Sequence, residues 1–308
     1  MKKFRRIIFI ATVFILITSI TASSANAAWL LFPDFFIKPY SVSDELQKKL
    51  NKIYNNYNFE IGWGLYDISG GVLKKVASYN TADTFQSNCT IKAAMLLCLC
   101  KEMDKGKLSL KDKLKVRAGE LHYDDFDRGS GNYTVEYLIG RMIHVSNNAC
   151  YEILLRYITL KKFNAFLKTL GSGTYIESYN YMGDCYIKDR AKEWIALYNY
   201  CHSVAKHASY AWDLLLNAKY SPIRDGVGRA AAHKSGWHYE DGVHGTAGDC
   251  AVVSTPNGGC YLMIMFTCNN SRGKYSQRLM RELAVVLDKV WNDYYDSIPS
   301  VLRPNASF

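Results

Sequence analysis

Apolar and polar positions along the chain divide it into three stretches. Leu46, Leu50, Ile53 and Tyr57 recur at helical spacing behind Ser43, which predicts an amphipathic helix capped by that serine. Residues 60–67 and 72–79 read as two strands joined by the turn Ile68-Ser69-Gly70-Gly71. An apolar helix then runs from about Lys92 to a stop at Asp104-Lys105-Gly106. The next hundred or so residues are helical in pattern, with helices predicted over 134–144, 149–158, 161–170, 188–204 and 208–218 and a C-terminal stop at Gly171. Strand character returns at 228–237, 247–254 and 260–268, the last two joined by Pro256-Asn257-Gly258-Gly259. Leu279, Leu283, Leu287, Val290 and Tyr294 mark a closing helix over 275–295.

This order predicts an α/β (α+β) fold. A five-stranded antiparallel sheet would be flanked by the N- and C-terminal helices, with an all-helical subdomain inserted between its halves. The sheet subdomain would take residues 42–80 plus 227–297 and the helical subdomain 81–226. Residues 28–41 read as a linker and 298–308 as a loose tail. A cleft between the two parts is where a site is expected.

The first 27 residues change the setting. Met1-Lys2-Lys3-Phe4-Arg5-Arg6 is basic, residues 7–20 are apolar, and Ala25-Asn26-Ala27 has the small-x-small form of a cleavage site. This reads as a signal peptide cleaved after Ala27, so the protein is expected outside the cytoplasm, secreted or at the cell surface or wall. Retention of the segment as an anchor is the alternative. The whole chain carries +10, and with four basic residues in the signal the remainder holds 34 basic against 28 acidic side chains, or +6. That charge suits work beside anionic wall polymers or lipid head groups. No nucleic-acid-binding motif accompanies it.

Nine cysteines in an exported chain suggest disulfides, but the number is odd and positions 89, 98, 100, 150, 185, 201, 250, 260 and 268 form no framework. No Cys-x-x-Cys or zinc-type spacing occurs, so no metal or other cofactor is expected.

Three short motifs carry candidate chemistry. Cys89 stands one turn before Lys92, with Asn88 as a helix cap, so thiol and ammonium share a face at a helix start that favours a thiolate. The plainer reading is a core cysteine beside Cys98 and Cys100. Ser146-Asn147-Asn148 sits on an inter-helix turn, where a hydroxyl can relay a proton and a carboxamide can hold a substrate amide; a simple helix cap explains it equally well. His233-Lys234-Ser235-Gly236-Trp237 lies on an edge strand and offers a cation, a hydroxyl and a glycine that admits a substrate backbone. His233 is expected to face away from the cleft, because residues alternate along a strand.

Together and in this order, the three motifs resemble the Ser-x-x-Lys, Ser-Asp-Asn and Lys-Thr-Gly set of class A β-lactamases and penicillin-binding proteins, with cysteine in the nucleophile position. The resemblance spans most of the chain beyond the signal and implies the architecture above. It also implies roles: Cys89 as nucleophile, Lys92 as general base, Ser146 as proton shuttle, Asn148 as acyl-amide ligand, and Lys234 with Ser235 as the carboxylate site. The N–H groups of Cys89 and Trp237 would form an oxyanion hole, approached past Gly236.

Three departures qualify the resemblance. Cysteine replaces serine at 89, asparagine stands at 147, and the deacylating Arg-x-Glu-x-x-x-Asn loop is missing, with Glu177-Ser178-Tyr179-Asn180 a poor substitute. A thioester with no water-activating carboxylate favours amines, so the expected activity is transpeptidation. The acyl donor would be a cell-wall stem peptide or a surface protein, and a β-lactam is an expected ligand. The alternatives are a β-lactamase or D-Ala-D-Ala carboxypeptidase, a non-catalytic sensor or binding protein on this fold, and a serine enzyme in which Cys89 replaces the native residue.

Overall fold

The computed structural model describes residues 40–57, 59–240, 244–268, 273–300 and 303. The expected signal peptide, its cleavage point and most of the expected linker and tail lie outside these residues. No helix among them is long and apolar enough to cross a membrane.

Helix α1 (Asp44–Asn56) leads into β1 (Glu60–Asp67) and β2 (Lys74–Tyr79). The closing elements are β7 (Ala231–Glu240), β8 (His244–Ser254), β9 (Cys260–Cys268) and α9 (Gly273–Ser297). The five strands form one antiparallel sheet in the order β2-β1-β9-β8-β7, which leaves β7 at an edge. The last strand in sequence therefore sits at the centre, pairing Trp63 with Met265 on one side and Cys250 with Ile264 on the other.

β9 is apolar throughout because both sheet faces are covered. Tyr261, Met263 and Met265 pack with Leu50 of α1 and with Leu283, Leu287 and Trp291 of α9. Their alternates Leu262, Ile264 and Phe266 join the other core, against the inserted block. The helical spacing read from α1 and α9 is thus the stripe by which both helices cover one face.

The inserted block holds α2 (Lys92–Asp104), α3 (Val135–His144), α4 (Asn148–Ile158), α5 (Leu160–Thr169), α6 (Ile187–Cys201) and α7 (Ala208–Leu216), with α8 (Pro222–Val227) leading back to the sheet. α2 is buried over nearly its whole length, including every residue from Lys92 to Cys100. That is why it reads as an unbroken apolar run rather than a stripe.

Several boundaries differ from those expected. The block also carries two short ribbons, β3 (Phe85–Gln86) with β6 (Asp184–Cys185) and β4 (Lys113–Val116) with β5 (Gly131–Thr134), too short to give a period-two pattern. β7 begins at Ala231 rather than 228, because α8 ends in a left-handed Gly228 at φ 66°. Ser43 holds the N-cap position of α1, but its side chain makes no capping bond, and Asp44 and Glu45 complement the helix dipole instead. Asn88 is no cap either: it lies within a 3₁₀ turn, Asn88–Ile91, that begins after Ser87 and runs directly into α2.

Candidate active site

Cys89 belongs to that 3₁₀ turn. Asn88, just before it, adopts the left-handed conformation at φ 48°, which non-glycine residues seldom occupy. Its side chain is held from both ends: the amide donates to Gln86 O at 3.2 Å, and Thr246 Oγ1 of β8 donates to its Oδ1 at 3.1 Å. β7 passes so close to the turn that a Cβ on Gly236 would lie 2.3 Å from the Cys89 nitrogen. Only glycine fits there. One turn on, Lys92 is wholly buried and its Nζ donates to Cys89 Sγ at 3.3 Å.

Ser146 is a second left-handed residue, at φ 60°, on the turn between α3 and α4. Asn147 N-caps α4 through its Oδ1, which accepts from Cys150 N at 2.8 Å. Asp125, from the loop between the ribbon strands, completes the cap by accepting from Asn148 N at 2.6 Å and Ala149 N at 2.8 Å. Its carbonyl accepts from the Asn147 side chain. Glu152 of α4 returns the contact, accepting from His122 N at 2.8 Å and Tyr123 N at 3.4 Å. Loop and turn thus fix each other. Backbone strain on both sides of the thiol, held by such contacts, is common where geometry serves chemistry.

The three motifs converge on one network. Lys92 Nζ donates to Asn148 Oδ1 at 2.6 Å, to the Ser146 carbonyl at 2.6 Å and to Ser146 Oγ at 3.4 Å. Lys234 Nζ donates to Ser146 Oγ at 2.8 Å and to its neighbour's carbonyl, Ser235 O, at 2.7 Å. Asn148 Oδ1 also lies 3.5 Å from Cys89 Sγ. Among the described residues no carboxylate pairs with either lysine.

Burial works against ionisation of Cys89, but the charges of Lys92 and Lys234 and hydrogen bonds from Ser146 and Lys92 outweigh it, so its pKa lies below the ordinary thiol value. Desolvation lowers Lys234 to about 8, with the thiolate opposing and Lys92 reinforcing the shift. Asp249, opposite Ser235 on β8, is pushed up to about 7 by burial; its Oδ2 accepts from Ser221 Oγ at 2.7 Å and Ile223 N at 3.0 Å. His233 is fully buried beside Arg224, and burial holds it down to about 3, so it is neutral and outside the network.

The side chains of two expected binding residues both meet Tyr220. The Ser235 hydroxyl donates to the Tyr220 carbonyl rather than pointing freely into the cleft. Trp237 is 37% exposed and meets Tyr220 edge-on, with ring centroids 5.8 Å apart. Glu177 and Ser178 line a separate cavity of 580 Å³ with Thr84 and Tyr181, and no motif residue borders it. Asp125, Tyr123, Tyr151 and Tyr220 were not singled out by sequence. An isolated acid or tyrosine in a long loop or a buried helix face carries no spacing signal.

Fold and site together set a thiol and a lysine ammonium at the start of a buried helix, facing a second lysine on the sheet edge. Residues 45–291 match the model of the β-lactamase enzyme family, and the chain belongs to that family. No curated protein matches the sequence. Among solved structures, a mutant of PBP-A caught as an acyl-enzyme complex with penicillin G is 17% identical at a TM-score of 0.69, covering 83% of this chain and 100% of that one. TLA-1 extended-spectrum β-lactamase is 17% identical at 0.70, covering 82% and 99%. A β-lactamase from Chitinophaga pinensis is 15% identical at 0.68, also covering 82% and 99%. At these identities the structures share the fold with this chain.

Proposed function

We propose that the protein is an acyl-transfer enzyme that works through a thioester on Cys89. The observation that carries the proposal is the Cys89–Lys92–Ser146–Lys234 network, which stabilises a thiolate and links it to a hydroxyl held by a second cation. The thiolate attacks an amide carbonyl, whose oxygen is received by the N–H groups of Cys89 and Trp237. The C–N bond then breaks, and the leaving amine takes a proton relayed through Ser146. An acceptor amine next attacks the thioester, the C–S bond breaks, and the surplus proton returns along the same route, with Lys92 as base. Asn148 holds the acyl amide, and Lys234 with Ser235 holds a donor carboxylate once the Ser235 hydroxyl turns from Tyr220.

The donor would be a wall stem peptide ending in D-Ala-D-Ala, or a surface protein. The basic n-region and apolar stretch of the first 27 residues support an extracytoplasmic setting. A hydrolytic reading, β-lactamase or carboxypeptidase, draws on the similar structures that are named β-lactamases.

Intact-mass measurement after incubation with a β-lactam or a D-Ala-D-Ala peptide, with and without added amine and after prior alkylation of Cys89, tests the proposal. An adduct on Cys89 that persists in water and transfers to the amine is expected. No adduct from any donor would sink the acyl-enzyme reading, and rapid release without amine would establish hydrolysis instead.

A further inference from the structure

Tyr151 lies one turn into α4 from Asn148 and is wholly buried. Its ring stands 5.9 Å from Lys92 Nζ and covers the ammonium. Its hydroxyl has no hydrogen-bond partner, an uncommon condition for a phenol in a protein interior. Burial, Tyr123, Cys89 and Glu193 together hold that hydroxyl in its neutral form against the pull of Arg190. Tyr151 therefore lies within electrostatic reach of both Cys89 and Glu193.

Three carboxylates near this place are held by partners. Glu193 is ion-paired with Arg190 and accepts from Ser172 Oγ at 2.6 Å. Glu152 is bound to His122, Tyr123 and Arg156, and Asp125 caps α4. Hydrolysis of a thioester needs a water beside the carbonyl and a base to take its proton as the O–C bond forms and the C–S bond breaks. Over Lys92 stands a neutral aromatic ring instead.

We infer that Tyr151 sets the partition of the acyl-enzyme between amine and water, by filling the space behind the Cys89–Lys92 pair with a group that neither admits nor activates a water. This rests on the acyl-enzyme reading above. Tyr151 is a positioning residue: it acts on what can approach the thioester and touches neither donor nor acceptor. Its bulk carries the effect, and its hydroxyl does not.

The test is single-turnover acylation by one β-lactam, followed by intact mass, in wild type, Tyr151→Phe and Tyr151→Ala. Tyr151→Leu is added should the alanine variant fail to fold by thermal unfolding. Acylation rates are expected within a few-fold of one another. The adduct should decay in water equally slowly in wild type and the phenylalanine variant, and on the order of tenfold faster in the alanine or leucine variant, with less product passing to added amine. Unchanged decay in a folded alanine or leucine variant overturns the inference, as does fast decay in the phenylalanine variant. In both cases the Cys89 adduct itself still stands. Failure of wild type to acylate would instead remove the acyl-enzyme reading.

Discussion

Lys234 and Lys92 hold the same hydroxyl, Ser146 Oγ, at 2.8 and 3.4 Å. One oxygen thus connects a lysine from the edge of the sheet with a lysine from the most buried helix of the inserted block. Ser146→Ala removes that connection while leaving Cys89 beside Lys92. Acylation by a β-lactam should fall by roughly 10²-fold, the usual range for losing a proton-transfer group. Alkylation of Cys89 by iodoacetamide, which needs no proton relay, should stay within a few-fold.

The two cations also set the charge state of the sulfur. Removing either destabilises the thiolate, so the thiol pKa rises in Lys92→Met and in Lys234→Met. The pH profile of iodoacetamide alkylation reads this directly, and its acid limb should move to higher pH in both variants. A profile that stays in place would show that neither lysine activates Cys89.

Gly236 is constrained by what it touches. Gly236→Ala puts a methyl group 2.3 Å from the Cys89 nitrogen, so either β7 or the 3₁₀ turn must move. Overpacking of this kind costs about 1–3 kcal/mol. A lower melting temperature together with lost acylation is expected; the native melting temperature would contradict the geometry.

Asp125→Ala strips two N–H partners from the start of α4, and a lost cap costs about 1 kcal/mol. The Ser146 turn loosens with it. Acylation should slow more than stability alone explains, and Asp125→Asn should recover part of the rate because its carbonyl oxygen still accepts.

Asp249 gives the stability a pH dependence of known direction. Its native carboxyl titrates near 7, against about 4 in an unfolded chain. Between those values the native state holds a proton that the unfolded state has released, so rising pH erodes stability. Asp249→Asn abolishes this contribution. Its stability relative to wild type should be greater at pH 8 than at pH 5, measured by urea unfolding at both.

Elements with long, regular patterns were legible in the sequence, and those held by single contacts were not. β1 and β9 stand out as apolar runs because β1 from Ile61 onward, and β9 up to Thr267, are buried. The ribbons β3–β6 and β4–β5 escaped notice because two to four residues cannot show a period. In the site, Cys89, Lys92, Ser146, Asn148 and Lys234 are visible through motif order, and the fold brings their side chains into one network. Ser235 shows the limit of such reading: a motif names a hydroxyl but not its acceptor, which here is the Tyr220 carbonyl. Tyr151 was silent because a tyrosine on a buried helix face looks like any other core residue.

None of the nine cysteines is cross-linked. In seven of them (98, 100, 150, 185, 201, 250 and 260) burial raises the thiol above its ordinary range, whereas Cys89 is drawn down. No disulfide holds the fold, so a change in redox surroundings leaves the architecture standing, and among the buried thiols it falls first on Cys89. On the proposed acyl-enzyme reading, a mild oxidant would block acylation without unfolding the molecule, and a reductant would restore it.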